Sequence, residues 1–413
     1  MLNEKQRAAL DAVKGGENVF VTGPAGVGKS LLIRKVLEWA EGLHMPVHVT
    51  ATTGVAAAIV DGTTLHAWGG IGLGERDARW YAKKLRGRGG WAYARYRQTK
   101  LLVIDELSMA DVTYMAKLEH VARLVRRDSR PFGGIQLMLL GDFYQLGPVQ
   151  KGRRPQFIFD SELWEKLVSK TIHLTEVYRQ ADPQFVDLLQ RVRVGDVGDD
   201  LSQIIRSSTE HSLVNDAGVE PTVLYCRNVD VDRANKAELS RLPGEAAEFK
   251  AVDFFASRAA QQLHGGNFTL PATLQLKIGA QVMLLRNLDQ DAKLVNGSRG
   301  VVEALGSGCV TVRFAAGTTR VIEAHEQHIG GTPQKRLASR KQIPLRLAYA
   351  LTIHKSQGLS IDVLDIDLRG CFAHGQAYVA LSRATAFKAT RIKNFTKGAV
   401  IVDEAVASFY ANH

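Results

Sequence analysis

The chain has 413 residues, a length that allows roughly two or three domains. Hydrophobic residues make up 45% of it, and no apolar run is long enough to span a membrane, so we expect no membrane partner. The three cysteines lie far apart without zinc-ligand spacing, which indicates reduced thiols in an intracellular protein. The formal net charge of +11 favours an anionic partner, with nucleic acid first; a generally basic enzyme is the alternative.

A phosphate-binding loop is predicted near the start of the chain. A short apolar strand at 19–21 leads into GPAGVGKS at 23–30, and an apolar pattern of helical spacing follows. Glycines there let backbone N–H groups turn toward a β-phosphate, and the helix N-terminus adds its positive dipole end. The expected ATP-binding residues are Gly23, Pro24, Ala25, Gly26, Val27, Gly28, Lys29 and Ser30.

Polar residues at the ends of two later strands complete the predicted site. Asp105 and Glu106 follow the apolar run 101–104; Asp105 and the Ser30 hydroxyl would hold Mg²⁺, while Glu106 would take a proton from the attacking water. Lys29 would reach the β- and γ-phosphates. The run IQLMLLGD predicts a neighbouring parallel strand, which would place Gln145 as a sensor of the γ-phosphate.

A basic segment with interleaved aromatic residues lies before the Asp105 strand. Residues 76–97 read RDARWYAKKLRGRGGWAYARYR, with eight Lys or Arg residues and one acidic residue. Because positive groups track phosphates and rings stack on bases, we predict a DNA-gripping and strand-separating insert; a solvated basic helical loop is the alternative. The predicted DNA contacts here are Trp80, Lys83, Lys84, Arg86 and Trp91.

The stretch between Asp111 and Gln136 predicts a helix that ends in a sharp turn. Apolar residues at 115, 118, 122 and 125 share one face, arginines fall mostly elsewhere, and Pro131 with Gly133 and Gly134 turns the chain into the sensor strand. Our hypothesis is that this element braces the basic insert and couples it to Gln145. Plain helix–strand packing with solvated arginines is the alternative.

The motifs taken in order resemble those of one helicase family. They are LNEKQRAAL at 2–10, VTATTGVAA at 49–57, TTLHAWGGIG at 63–72, DVTYMAKLEHVARLVRRDSRPFGGIQ at 111–136, LTEVYRQ at 174–180, YALTIHKSQG at 349–358 and QAYVALSRAT at 376–385. Over nearly the whole chain they resemble the petite-integration-frequency (PIF) DNA helicases, a RecD-like branch of helicase superfamily one. Gly147 and Trp68 depart from the family's usual proline and phenylalanine, and neither is an implied catalytic group.

The resemblance implies roles for residues outside the phosphate loop. Gln6 would read the adenine edge, and the backbone at Gly358 would approach the γ-phosphate. The second half has no second phosphate-loop lysine, so it would complete the first site, with Arg179 and Arg383 reaching the γ-phosphate. The implied DNA contacts in the motifs are Thr52, Thr64, His66, His354, Ser356, Gln376, Tyr378 and Ser382.

The expected architecture is α/β, with two RecA-like P-loop folds that carry parallel sheets. A basic insert is expected in the first fold, and glycine-separated β runs predict a small β-barrel insert in the second, with or without contact to DNA. The expected bounds are 1–150 for the first fold, with its insert at 64–98 and the signature element at 111–137; 151–271 and 343–413 for the second; and 272–342 for the β insert.

The expected function is that of an ATP-dependent DNA helicase which uses Mg²⁺ and moves 5′-to-3′ on single-stranded and forked DNA. Its direction follows from the resemblance, as does a place in replication, repair, recombination or telomere maintenance. A DNA-stimulated ATPase that remodels protein–DNA complexes is one alternative, and a nucleotide-gated DNA clamp is another. The N-terminal segment is not typical of a secretory or transit signal, and we expect an intracellular monomer, in the cytoplasm, nucleoid, nucleus or mitochondrion.

Overall fold

The computed structural model describes most of the chain in two compact units. The described residues are 2–87, 90–148, 156–213, 219–258, 260–261, 265, 268–289, 292, 294–329 and 337–413, with the backbone alone for Trp91. Unit 1 takes the described residues up to Tyr178 together with Val402–His413. Unit 2 takes those from Arg179 to Ile329 and from Leu337 to Ile401. Within these ranges no helix is both long enough and apolar enough to cross a membrane.

Unit 1 is built on a parallel sheet. Its strands are β1 Val19–Thr22, β2 Val47–Ala51, β3 Thr63–Thr64, β4 Leu101–Asp105, β5 Gln136–Gly141 and β6 Lys170–His173. They pair in the order β3-β2-β4-β5-β1-β6, and each neighbouring pair is parallel. The carboxyl ends of β4, β5 and β1 therefore meet at one edge of the sheet.

The helices of unit 1 cover both faces of this sheet. They are α1 Glu4–Lys14, α2 Lys29–Gly42, α3 Gly54–Ile59, α4 Leu65–Gly69, α5 Ala78–Gly87, α6 Trp91–Gln98, α7 Val112–Arg126, α8 Glu162–Leu167 and, after unit 2, α14 Glu404–Asn412. Every residue of β1 and β4 is buried, as expected for a parallel strand with helices on both sides. Successive side chains of β1 alternate between two cores: Phe20 packs with α7 residues, whereas Val19 and Val21 pack with α2 residues.

Unit 2 contains a second, smaller parallel sheet. Its strands are β7 Thr222–Tyr225, β18 Ala350–Thr352, β19 Leu364–Asp367 and β20 Thr390–Lys393, paired in the order β18-β7-β19-β20. Its helices are α9 Pro183–Val194, α10 Asp199–Ser207, α11 Asn228–Arg241, α12 Ile353–Ser356 and α13 Gln376–Leu381. Two parallel sheets in one mixed chain confirm the predicted α/β class.

Antiparallel strands lie between β7 and β18. They are β8 Ala247–Lys250, β9 Val252–Phe255, β10 Thr273–Leu276, β11 Gln281–Leu284, β12 Arg299–Leu305, β13 Cys309–Phe314, β14 Thr319–Glu323, β15 His325–Ile329, β16 Ala338–Gln342 and β17 Leu345–Leu347. They form a five-stranded sheet in the order β14-β13-β12-β11-β17, a three-stranded sheet β15-β16-β9 and the pair β10-β8. The five-stranded sheet and strand β10 share one hydrophobic core, in the segment for which the sequence predicted a small β-barrel.

Two boundaries in the structure differ from those expected from the sequence. Strand β6 pairs with β1, with Val21 opposite Ile172, so the first fold extends past residue 150 to Tyr178. Strands β8 and β9 pair with β10 and β16, so the β insert begins before residue 272. Both differences have the same cause, because strand pairing between residues far apart in sequence leaves little trace in local composition.

Trp68 gives a test of packing in unit 1. Its side chain is fully buried beside Tyr96, at 4.8 Å between ring centroids, and its indole nitrogen has no hydrogen-bond partner among the described residues. Trp68→Phe keeps most of the ring and removes that donor, so we expect the free energy of unfolding to change by less than about 1 kcal/mol. Trp68→Ala should cost about 3–5 kcal/mol. Urea unfolding followed by circular dichroism measures both; equal losses would contradict this role for Trp68.

Candidate nucleotide site and DNA-facing elements

The loop between β1 and α2 has a backbone that requires glycine at two positions. Gly23 has φ +143° and Gly28 has φ +82°, both in the region that side chains disfavour. A Cβ on Gly23 would lie 2.2 Å from the Leu174 carbonyl oxygen, and one on Gly28 would lie 2.6 Å from Gln6 Nε2. The sequence thus closes the loop tightly at the N-terminus of α2, where an anion is favoured.

Lys29 and Ser30 begin α2 and supply the polar groups of this loop. Lys29 Nζ donates to the carbonyl oxygens of Gly23 at 2.7 Å and Pro24 at 3.1 Å, so its ammonium group folds back over the loop. Ser30 is exposed on the first turn, while Ala25 and Val27 are buried beneath it. An ammonium group above a glycine loop fits a polyphosphate, and an exposed hydroxyl beside it fits a phosphate-bound Mg²⁺.

Asp105 and Glu106 form a buried acidic pair at the end of β4. Asp105 Oδ1 accepts the Glu106 N–H at 2.9 Å, and Thr52 Oγ1 donates to the Glu106 carbonyl at 2.8 Å. Glu106 has φ +53°, a left-handed backbone that turns its side chain away from the strand direction. Burial and the Glu106 carboxylate raise the pKa of Asp105 to about 7, while the Glu106 N–H and Lys29 oppose the change. A nearby cation would favour the ionised form of this carboxyl group, so the acidic pair is a suitable place for a metal ion.

Gln145 lies in the turn that follows β5. The Gln145 N–H donates to the Asp142 carbonyl at 2.9 Å, and the side chain is 3% exposed. Its Oε1 atom has no hydrogen-bond partner among the described residues. A Cβ on Gly141 would lie 3.0 Å from Leu107 N, so this turn is packed closely against the segment after Glu106. A buried amide with an unmatched acceptor at this edge is suited to sensing a ligand or its water.

Residues at the chain start lie beside the phosphate loop, while the predicted contact of Gln6 with the adenine edge stays a prediction. Gln6 Oε1 accepts the Asn3 N–H at 3.1 Å and its Nε2 donates to the Val27 carbonyl at 3.1 Å. Asn3 Nδ2 donates to Tyr178 Oη at 2.9 Å, and the Tyr178 N–H donates to the Gly26 carbonyl at 2.9 Å. These bonds tie the first helix to both sides of the loop.

Tyr178 is a residue that the sequence interpretation passed over. Its side chain is 57% exposed although Asn3 and Glu176 bind its hydroxyl, and its ring would lie 3.9 Å from a Cβ on Gly28. An exposed ring that is held beside the loop offers a stacking surface for a base. Its place directly before Arg179 in the motif LTEVYRQ could have indicated a role, but the sequence prediction named the arginine alone.

The predicted DNA contacts of the early motifs are half-buried. Thr64 Oγ1 accepts the Ala67 N–H at 3.1 Å and so caps α4. The His66 ring stacks on Tyr114 with centroids 4.1 Å apart. Burial lowers the pKa of His66 and the Asp111 carboxylate opposes this change, so a neutral ring is favoured. Thr52, already bonded to the Glu106 carbonyl, connects this region to the acidic pair.

Helix α5 presents part of the basic insert to solvent. Trp80 is 43% exposed, and Lys84 Nζ lies 4.6 Å from the centre of its ring. Lys83 is exposed, whereas Arg86 donates to the Leu124 carbonyl of α7. The insert is therefore partly a packed structure and partly an open basic surface. The side chain of Trp91, also predicted to contact DNA, lies outside the described residues.

Arg126 of α7 connects the insert to the turn before β5. Its Nη1 atom donates to the carbonyl oxygens of Tyr96 at 2.7 Å, Arg97 at 3.1 Å and Thr99 at 3.2 Å, all at the end of α6. Its Nε atom donates to the Gly133 carbonyl in the turn that leads to β5. One guanidinium thus satisfies the last carbonyls of an insert helix and holds the turn before the sensor strand. These contacts support the bracing hypothesis.

The two arginines of unit 2 are held within that unit. Arg179 Nη1 donates to the Ser382 carbonyl at 3.0 Å. Arg383 is 1% exposed, and its guanidinium donates to the Val379 carbonyl at 2.9 Å, the Leu359 carbonyl at 3.3 Å and Ser382 Oγ at 2.8 Å. In this conformation Arg179 is half-buried, whereas Arg383 is buried.

The later motif residues are mostly interior. Ser356 Oγ donates to the Ile353 carbonyl at 2.8 Å, and Gln376 Oε1 accepts the N–H groups of Phe372 and Ala373. Burial also lowers the pKa of His354. Four residues predicted to contact DNA are buried here: Ser356, Gln376, Tyr378 and Ser382. They stabilise the motif loops in this conformation, and they could contact DNA directly only if their side chains left the interior.

Gly358 follows these motif residues with a left-handed backbone. Its φ is +84°, and the preceding Gln357 is buried. A left-handed residue at the end of the short helix α12 turns the chain sharply, and only a residue without a side chain adopts it at low cost. This backbone explains why the sequence has glycine here. Its predicted approach to the γ-phosphate stays a prediction.

Tyr178 gives a direct test of the base-stacking surface. Because base stacking on an aromatic ring is worth roughly 1–3 kcal/mol, Tyr178→Ala should weaken ATP binding by about tenfold. Tyr178→Phe keeps the ring and should bind ATP nearly as well as the unchanged chain. Titration with a fluorescent ATP analogue measures the dissociation constants. If the alanine and phenylalanine variants lose affinity equally, the hydroxyl contacts matter and stacking does not.

Comparisons with known proteins agree on one family. The PIF1-like helicase family model matches residues 1–203, and the model for the 2B domain of DNA helicase Pif1 matches residues 266–305. The ATP-dependent DNA helicase PIF1 of Homo sapiens is 43% identical over 99% of this chain. This chain spans 63% of the length of that human relative.

Solved structures show the same likeness at the level of the fold. The crystal structure of Pif1 helicase from Candida albicans is 36% identical, with a TM-score of 0.87 over 100% of this chain and 99% of that one. Pif1 helicase from Bacteroides in complex with ADP-AlF3 and single-stranded DNA is 27% identical, with a TM-score of 0.73 over 100% and 97%. The phosphate loop, the acidic pair and these matches together show that the chain belongs to the PIF1-like helicase family.

Proposed function

We propose that the protein is an ATP-dependent DNA helicase that moves 5′-to-3′ on single-stranded DNA and unwinds duplex or structured DNA. The observation that carries the proposal is the pairing of β1, β5 and β4 side by side, because the segments that carry Lys29, Gln145 and Glu106 follow these strands at one edge of the sheet. A nucleotide-gated clamp would not need a buried carboxylate next to a metal-binding one. Replication, repair, recombination or telomere maintenance is the setting in which such an activity would be used.

Each residue of the site has a role in ATP hydrolysis under this proposal. Lys29 binds the β- and γ-phosphates, and Glu106 accepts a proton from the attacking water. Ser30 and Asp105 hold Mg²⁺, which when bound neutralises phosphate charge. Gln145 orients the water or senses the γ-phosphate through its unmatched Oε1 atom. The base lies against Tyr178 and near Gln6.

Arg179 and Arg383 are proposed to stabilise negative charge on the transferred phosphate. Arginine suits this role because its planar group stays charged and binds phosphate oxygens in pairs. Arg179 is half-buried and donates to the Ser382 carbonyl, whereas Arg383 is buried and its guanidinium donates to groups inside unit 2. Because Arg179 is the more exposed of the two, we propose that it contacts the phosphate directly and that Arg383 supports the Ser382 loop.

Single-stranded and forked DNA are the proposed partners. The exposed part of the insert supplies the Trp80 ring, with Lys84 over it, and the exposed positive charge of Lys83 on the same helix. A relative of the same fold was crystallised with single-stranded DNA, and its match extends over the whole of this chain. The net charge of +11 fits an anionic partner of this kind. We further propose that the protein acts as a monomer inside the cell.

Strand displacement on tailed duplexes tests the proposed function. With ATP and Mg²⁺, the chain should unwind a duplex with a 5′ single-stranded tail and leave the matching 3′-tailed duplex intact. The control is Lys29→Ala, which removes the phosphate-binding ammonium group. Stimulation of ATP hydrolysis by DNA without displacement of either duplex would favour the alternative, an ATPase that remodels protein–DNA complexes.

Glu106→Gln separates nucleotide binding from hydrolysis. The amide keeps the shape of the side chain but accepts a proton poorly, so we expect ATP binding within about twofold of the unchanged chain and a fall in turnover of about 10²-fold or more. Lys29→Ala should lose both binding and turnover. Equilibrium binding of a labelled ATP analogue and steady-state hydrolysis measure the two quantities. Loss of ATP binding in Glu106→Gln would show that Glu106 is structural or a metal ligand.

Two substitutions in α5 test the DNA-facing surface. Trp80→Ala should impair unwinding more than DNA-stimulated ATP hydrolysis, because stacking matters most where strands part. Lys83→Gln should weaken DNA binding and reduce the slope of log K against log salt by up to about one unit, since one phosphate contact is lost.

Lys35→Gln is the matched control for the loss of one positive charge. Lys35 is on α2 and pairs with Glu38 at 2.6 Å, away from the insert in sequence. It should leave the salt slope unchanged. If Lys83→Gln and Lys35→Gln behave alike in the titration, the insert contributes only net charge and the DNA path proposed for unit 1 is wrong.

A further inference from the structure

Helix α14 packs into unit 1, although the preceding residues belong to unit 2. Val406 and Phe409 are buried, and Phe409 contacts the aromatic rings of Phe20, Phe143 and Trp164 at centroid distances of 6.4, 5.3 and 5.7 Å. The helix is thus held by a hydrophobic face against the ends of β1 and β5. This face alone explains why the helix docks.

The neighbouring Tyr410 makes contacts of a different kind. Its hydroxyl lies 2.6 Å from Thr22 Oγ1, accepts the Phe143 N–H at 3.0 Å and donates to Asp142 Oδ1 at 3.4 Å. Thr22 and Asp142 are both fully buried. A phenol has one proton, so donation to Asp142 leaves its oxygen to accept from Thr22 and from the Phe143 N–H. One hydroxyl therefore satisfies polar groups from two strand ends.

The Tyr410 ring is fixed as firmly as its hydroxyl. It stacks on Tyr144 with centroids 4.9 Å apart and planes 10° apart. Tyr144 in turn donates its N–H to Asp142 Oδ1 at 3.2 Å. Tyr410 of α14 therefore contacts the turn that carries Gln145 at three groups: the Phe143 N–H, the Asp142 carboxylate and the Tyr144 ring.

The residues that Tyr410 joins stand directly before the catalytic segments. Thr22 is the last residue of β1 and precedes Gly23 of the phosphate loop; residues 142–144 precede Gln145. Strand pairing fixes Thr22 opposite Gly141, and the pairing of β1 with β5 ends there. Tyr410 continues the connection between the two strands beyond that point, where the loop and the sensor turn separate.

We propose that Tyr410 is a positioning residue for ATP hydrolysis, which sets Gln145 relative to the phosphate loop by bridging Thr22 and the Asp142–Phe143 backbone. The inference rests on the proposed ATPase function and extends it to α14. Tyr410 would act through Gln145 and not on the nucleotide itself. A fall in turnover with little change in the affinity for ATP is what this role requires.

Tyr410→Phe removes the hydroxyl and keeps the ring stacked on Tyr144. Because a small displacement of an orienting group can cost a large factor in rate, we expect kcat for DNA-stimulated ATP hydrolysis to fall by about tenfold, with KM for ATP within about twofold. The control is Phe409→Leu, which weakens the packing of the same helix without touching the hydroxyl contacts. It should lower Tm and leave kcat unchanged at a temperature well below unfolding.

Each result of this experiment decides between the two roles of α14. Unchanged kcat in Tyr410→Phe overturns the proposal, and so does an equal loss of kcat in Tyr410→Phe and Phe409→Leu, since that would be a loss of folding alone. If the unchanged chain hydrolyses ATP no faster than Lys29→Ala does, the proposed function is wrong, and the positioning role of Tyr410 is wrong with it. The three outcomes are distinguished by the same set of rate measurements.

Discussion

The parallel pairing of β4, β5 and β1 is the constraint on which the candidate site depends. It brings Asp105, Gly141 and Thr22 to one edge of a buried sheet, so that the acidic pair, the sensor turn and the phosphate loop all begin there. Parallel strands need helices on both faces, and the alternating side chains of β1 supply an apolar surface to each. The remaining elements of unit 1 hold this edge from outside: α7 through Arg126, and α14 through Tyr410.

The parts of this arrangement that follow from short-range rules were predictable from the sequence. GPAGVGKS between a strand and a helix indicates a phosphate loop because only glycine tolerates the backbone at positions such as 23 and 28. The apolar run before Asp105 indicates a buried strand, and the spacing of residues 115, 118, 122 and 125 indicates the buried face of α7, whose members are fully buried. The α/β class was predicted from the same kinds of pattern, whereas the helicase family was identified from the resemblance of motifs that occur in order along the chain.

The contacts between segments far apart in the chain were not predictable. Tyr410 contacts Thr22, which is 388 residues away in the sequence, and Tyr178 contacts Asn3, which is 175 residues away. No local sequence pattern indicates either contact. Strand β6 joins the first sheet by pairing alone, so the boundary expected at 150 lies before the last strand of the fold. The interior positions of Ser356, Gln376 and Arg383 were missed for a related reason, since polar residues in a motif suggest a ligand, while packing decides which of them face solvent.

We infer that the phosphate loop, the acidic pair, the sensor turn and α14 respond to nucleotide together, as one connected edge of the sheet. Hydrogen–deuterium exchange of the chain with and without ADP and aluminium fluoride measures this directly, because amide protection reports local opening. We expect exchange to slow together in residues 23–30, 105–108, 141–146 and 404–412 when the nucleotide binds. Slower exchange in residues 23–30 with no change in residues 404–412 would contradict it.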